Sequence, residues 1–99
     1  MPGKKRGRRR GKRRVGWTPR ETCFCPRDKI QAEVKLRIEE VEALRLIDLL
    51  NLTQEEAAAE MGVSRKTFWN DLRTARKKVA EALTKGKKIK IEGGNYTLK

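Results

Sequence analysis

Residues 52–83 read LTQEEAAAEMGVSRKTFWNDLRTARKKVAEAL, and few folds accommodate that order of signals. Thr53 followed three residues later by Glu56 is a capping box. The hydroxyl accepts an orphan backbone N–H, and the glutamate reaches back to another. Gln54 to Met61 is good helix-forming sequence. Gly62 ends it, because a residue without a Cβ takes the left-handed conformation a sharp turn needs. Val63 plugs the gap between the helices, and Ser64 caps a second helix running from Arg65 to about Leu83. This is the pattern of a helix-turn-helix, whose second helix enters the DNA major groove. Ala58 stands where the two helices cross closely and a large side chain would push them apart. Met61, Val63 and Phe68 fall on core positions of the motif.

The second helix sorts its residues by face. Phe68, Leu72, Ala75, Val79 and Leu83, with Ala82, form one apolar stripe expected to pack inward. At about 100° per residue, Lys66, Asn70, Arg73 and Lys77 lie opposite, with Arg65, Trp69 and Arg76 between. The candidate base-reading residues are therefore Ser64, Arg65, Lys66, Trp69, Asn70 and Arg73. Arg and Lys pair with guanine O6 and N7, and Asn with adenine N6 and N7. Trp69 suits either a thymine methyl or the edge of the core. Thr67, beside Ser64 at a helix N-terminus that attracts anions, is a candidate phosphate contact. Arg76, Lys77, Lys78, Lys87 and Lys88 are candidates of the same kind. Asp71 would repel phosphate unless it faces away from the duplex.

The net charge of +13 points to a polyanionic partner. It is also uneven. Residues 1–14 carry nine Lys or Arg and no acid, residues 28–60 hold nine acids against four bases, and residues 61–99 hold eleven bases against three acids. A basic reading half over an acidic supporting half suits a protein with one face on phosphate. The first fourteen residues, with nothing apolar to bury, are expected to form a disordered basic arm. Its arginines Arg8, Arg9, Arg10, Arg13 and Arg14 would neutralise phosphates or enter a minor groove.

Around the motif the signals are shorter. Residues 15–32 contain two prolines and no helical period, which predicts an extended segment anchored by Trp17 and Phe24. Cys23 and Cys25 fail as a zinc site on inventory, with no histidine and no third cysteine to complete four ligands. They are expected to point to opposite faces as small, buried or half-buried side chains. Residues 33–37 alternate as a short strand would. Residues 38–51 carry Ile38, Val41, Leu44, Ile47 and Leu50 on one stripe, the pattern of a core helix, with its acids in the first turns. After Gly86, residues 88–92 alternate again and pair on paper with Val34 and Leu36. The turn at Gly93-Gly94-Asn95 would let Tyr96–Leu98 return as a hairpin strand or end as a tail.

No apolar run approaches the roughly 20 residues that cross a bilayer, and the basic start lacks the apolar region of a secretory signal. The expected place is the cytoplasm, on the nucleoid. No histidine, phosphate-binding glycine loop or cysteine–base pair is present, so the expectation is no enzyme, no cofactor and no metal.

The chain also resembles a family of small, uncharacterised prokaryotic proteins predicted to bind DNA, whose helix-turn-helix is similar to the fourth conserved region of sigma factors. The residues that carry this are Glu42-Ala43-Leu44-Arg45-Leu46-Ile47-Asp48, Leu52-Thr53-Gln54-Glu55-Glu56-Ala57-Ala58, Met61-Gly62-Val63-Ser64-Arg65-Lys66-Thr67-Phe68 and Ile91-Glu92-Gly93-Gly94-Asn95-Tyr96. The resemblance implies a DNA-binding, regulatory protein with a helical core. Residues and resemblance together give a mainly α, three-helix domain over residues 15–99, with an arm before it and a small β element near the C-terminus. The expected function is sequence-specific binding of double-stranded DNA, as a monomer or a homodimer. The alternatives are docking on RNA polymerase through the acidic helix and non-specific nucleic-acid binding through the arm.

Overall fold

The computed structural model describes residues 12–27 and 32–99. Arg8, Arg9 and Arg10 of the arm lie outside the described residues. Helix α1 spans Ile38–Leu44 and widens into a π-type stretch, Arg45–Leu49. It closes at Asn51, whose φ of 59° is a left-handed conformation that asparagine tolerates. Helix α2 is Gln54–Met61 and helix α3 is Arg65–Lys85. The capping box forms as the spacing dictates: Thr53 N donates to Glu56 Oε1 at 2.9 Å, and Glu56 N to Thr53 Oγ1 at 3.1 Å. Gly62 at φ 68° and Gly86 at φ 66° end α2 and α3 in the left-handed region. Ser64 caps α3, accepting from Thr67 N at 3.1 Å.

Helix α3 packs on both α1 and α2. The core between them is mostly aliphatic: Ala43, Leu46, Ala57, Ala58, Met61, Phe68, Leu72 and Ala75 are all buried. The apolar stripe of α3 departs from expectation at its end. Ala82 is buried, whereas Leu83 is 75% exposed, because α3 outruns the helices beneath it. No described helix is long and apolar enough to cross a membrane.

Among the described residues, five short strands wrap the helices: β1 (Arg13–Val15), β2 (Cys23–Phe24), β3 (Glu33–Leu36), β4 (Lys88–Ile91) and β5 (Tyr96–Leu98). Strand β4 is central, parallel to β3 and antiparallel to β2. Val34 sits opposite Ile89 and Leu36 opposite Ile91, the pairing that alternation suggests. A parallel pair needs a long crossover, and the three helices provide it. Tyr96–Leu98 does not return on β4. It runs parallel to β1 in a separate two-stranded sheet, with Arg13 opposite Tyr96 and Val15 opposite Leu98. Arg13 and Arg14, expected in the arm, are thus part of the folded domain.

The extended segment is anchored by other residues than the aromatic ones. Val15 is fully buried, while Trp17 and Phe24 stay exposed. Trp17 instead lies 5.5 Å from the Arg45 guanidinium, which sits over its ring. The turn after β4 has a structural task. Gly93 O accepts from Ile38 N, and Asn95 N donates to the buried Glu39 carboxylate at 3.2 Å, so the turn closes the N-terminal end of α1.

Candidate nucleic-acid interface

Helix α3 carries the site, and its partners sort the cations along it. Its inward side is set by Phe68, Leu72 and Ala75. The opposite side presents Lys66, Asn70, Arg73 and Lys77, all exposed, with Arg65 and Trp69 exposed at its margin. Among the described residues, Arg65, Lys66, Arg73 and Lys77 have no carboxylate at ion-pair distance. Ser64 and Thr67 share a hydroxyl contact of 3.1 Å at the start of the helix. They border a recess of about 530 Å³ lined also by Gly62 and Val63. The N-terminal end of a helix and two hydroxyls suit an anionic oxygen.

Off this face Arg76, Lys78, Lys87 and Lys88 are occupied, whereas Lys85 in the last turn of α3 is exposed with no ion pair among the described residues. Arg76 holds Asp48 through two hydrogen bonds, the shorter 2.8 Å, and this keeps the Asp48 carboxyl below its usual range. Lys78 pairs with the buried Glu40 at 2.8 Å. Lys87 pairs with Glu81, and Lys88 reaches Glu33 at 3.4 Å. Four of the six candidate phosphate contacts therefore already hold a carboxylate of this chain. Thr67 and Lys77 do not.

The two described arm arginines are also engaged. Arg13 grips Asp71 with Nε at 2.9 Å and Nη2 at 3.2 Å, and the two side chains are only 14% and 6% exposed. Asp71 is thereby turned inward, away from the side of α3 that carries Lys66, Arg73 and Lys77. Arg14 donates to Ala59 O at 3.1 Å and lies over Gly62. A Cβ on Gly62 would meet the Arg14 guanidinium at 3.1 Å, so the turn glycine also makes room for that side chain.

What sequence reasoning missed is the use of the acids. Glu39, Glu40 and Glu42 are buried, not displayed. Burial alone would push the Glu40 carboxyl up, but hydrogen bonds from Lys78 and from the backbone and side chain of Arg37 outweigh it and hold it below its usual range. Glu42 accepts from Arg45 Nε at 2.7 Å and from Gly16 N at 3.0 Å. The available signal was an acid-rich helix start followed by an apolar stripe too wide to leave those acids outside.

Cys23 and Cys25 are both exposed and lie on one side of the chain, contrary to the expectations of burial and of opposite faces. Their sulfurs lie 3.1 Å apart, because side chains two residues apart on an extended chain share a face. Among the described residues, no three His, Cys, Asp or Glu side chains are grouped as metal ligands would be.

The whole of residues 1–99 matches a family model described as protein of unknown function DUF134. The chain is similar to a UPF0251 protein of Methanocella arvoryzae, 53% identical over 91 residues that cover 89% of this chain and 55% of that one. A UPF0251 protein of Methanosarcina acetivorans is 53% identical over 94 residues, covering 92% of this chain and 84% of its own. A UPF0251 protein of Caldicellulosiruptor bescii is 57% identical over 84 residues, covering 85% and 60%. The match to the Methanocella relative spans little more than half of that protein's length. No solved structure matches the chain. With a family match along its full length and more than half of the aligned residues identical in these relatives, the chain belongs to the DUF134 family, whose relatives here are named UPF0251 proteins.

Proposed function

We propose that this protein binds double-stranded DNA sequence-specifically and regulates transcription. On this reading, α2, the turn at 62–64 and α3 act as a helix-turn-helix similar to the fourth conserved region of sigma factors. The observation that carries the reading is the partition of cations on α3. Among the described residues, Arg65, Lys66, Arg73 and Lys77 on the outer side of α3 have no carboxylate partner, whereas Arg76 and Lys78 are tied to Asp48 and Glu40.

In this reading Arg65, Lys66, Asn70 and Arg73 read base edges, and Trp69 sits against the groove wall. Ser64, Thr67 and Lys77 hold backbone phosphate. Docking on RNA polymerase through an acidic helix has less to rest on, because Glu39, Glu40 and Glu42 are inside the fold. The test is selection of bound duplexes from random DNA. Enrichment of a defined site, lost in Arg73→Ala, is the expected result. No enrichment, with binding abolished by removing residues 1–11, would leave only a non-specific nucleic-acid binder.

A further inference from the structure

The DNA reading leaves one chemically distinctive feature unused, the Cys23-Phe24-Cys25 run on an edge strand. Both cysteines are free and exposed, and their sulfurs are 3.1 Å apart in S–H···S contact. They lie on strand β2 and immediately after it. Cys23 is opposite Lys90 of β4, and Cys25 lines a groove with Leu83, Gly86 and Lys87 at the end of α3. A free cysteine used only for packing is a buried one. These two are presented together to solvent.

The separation narrows the chemistry. Two thiolates bound to one tetrahedral zinc at about 2.3 Å would stand nearly 4 Å apart and need two further ligands. No such ligand set is grouped here among the described residues. A disulfide requires only that the sulfurs close to about 2.0 Å. The rise of an extended chain puts alternate Cα atoms about 6.5 Å apart, inside the range that disulfides bridge but near its upper end. Such a bond is strained and solvent-accessible, which are the properties of labile disulfides rather than of permanent structural ones.

We propose that Cys23 and Cys25 are a redox-active dithiol that closes reversibly to an intramolecular disulfide by exchange with a small-molecule disulfide. One cysteine thiolate attacks a sulfur of the small disulfide. A protein–small-molecule mixed disulfide forms, and one small thiolate leaves. The second cysteine thiolate then attacks the protein sulfur of that mixed disulfide and expels the second small thiolate. Each departing thiolate takes up the proton that the attacking cysteine gave up. The protein dithiol loses two electrons, and the small disulfide gains them to become two thiols. The hydrogen bond with Cys23 pushes the Cys25 thiol up, so exchange accelerates as the pH is raised.

The test is incubation of the full chain with oxidised glutathione, read by intact mass and free-thiol titration. The expected product is a monomer lighter by two hydrogens, with no free thiol, restored by dithiothreitol. Cys23→Ser and Cys25→Ser should each stop at a single glutathione adduct. Neither substitution removes a core side chain, so both variants should fold. Unreacted thiols, a stable doubly glutathionylated chain or disulfide-linked dimers as the main product would each overturn the proposal. All these readouts are independent of whether the protein binds DNA.

Discussion

The Arg13–Asp71 pair fixes the first strand to helix α3. It is nearly sealed from water, so its two charges depend on each other. Removing one partner of a buried pair typically costs about 3–5 kcal/mol, and the low end applies to Asp71, because Arg13 makes a further contact of its own. Arg37 Nη2 at 3.9 Å from Asp71 is a secondary contact and does not replace Arg13. Asp71→Ala should lower unfolding free energy by about 3 kcal/mol in urea titration. A loss under about 1 kcal/mol would mean that the pair contributes no more than an exposed one. Glycines permit a sharper comparison. Gly86 and Gly94 both have positive φ, at 66° and 118°, but a Cβ on Gly86 meets nothing within 4 Å. On Gly94 it would overlap Glu39 Oε1, the end of a fully buried side chain. Gly86→Ala should cost about 1–2 kcal/mol for the backbone conformation alone. Gly94→Ala should cost clearly more, read as a larger fall in melting temperature. Equal falls would show that Glu39 moves freely.

At the scale of the element, α3 is two instruments on one rod. Arg73 belongs to the open face and Lys78 to the structural one, so their alanine variants should have opposite phenotypes. Arg73→Ala should weaken binding to a selected site about tenfold or more, the loss of one good base contact, with stability within about 0.5 kcal/mol of the parent. Lys78→Ala should leave affinity nearly unchanged and lower stability by about 1–2 kcal/mol, because Glu40 loses one charged donor but keeps Arg37. Paired fluorescence-anisotropy and thermal-melt measurements separate the two, and the same phenotype in both variants would erase the partition. The helices were legible because their signals are local. Thr53, Glu56, Gly62, Ser64 and Gly86 act on neighbours within a few residues. Ile89 and Ile91 could be matched to Val34 and Leu36 because alternation survives without knowing the topology. The failures were non-local. Nothing near Arg13 announces that Asp71, 58 residues on, will take it out of the arm. Nothing near Tyr96 says that its strand partner is at the other end of the chain. Phe24 and Trp17 were expected inside because they are large. The interior is filled by Phe68, Met61, Leu72 and smaller aliphatic side chains, and of residues 15–27 it is Val15 that is buried.

Across the whole molecule, a net charge of +13 coexists with carboxylates drawn inside as counterions. That arrangement fixes how stability responds to pH. Glu40 is the carboxylate that matters most, because it is buried and its folded-state affinity for protons is depressed by Lys78 and Arg37. A depressed carboxyl contributes stability that is present above its unfolded value, about 4.3 for glutamate, and is lost as pH falls through the lower folded value. Asp48 is depressed in the same direction by Arg76, but that pair is solvent-exposed and contributes little. There is no histidine, so no side chain of ordinary pKa titrates between pH 5 and 8. The melting temperature should therefore be flat across that range. It should fall steeply below about pH 4, as protonation of the acids also leaves the excess of Lys and Arg unopposed. Lys78→Ala, with Glu40 less depressed, should show a shallower fall. On the proposed reading no histidine belongs to the DNA interface, so DNA affinity at constant ionic strength should be the same at pH 5.5 and pH 8. A step in affinity or melting temperature near pH 6 would show that a group other than these carboxylates and cations governs the fold or the interface.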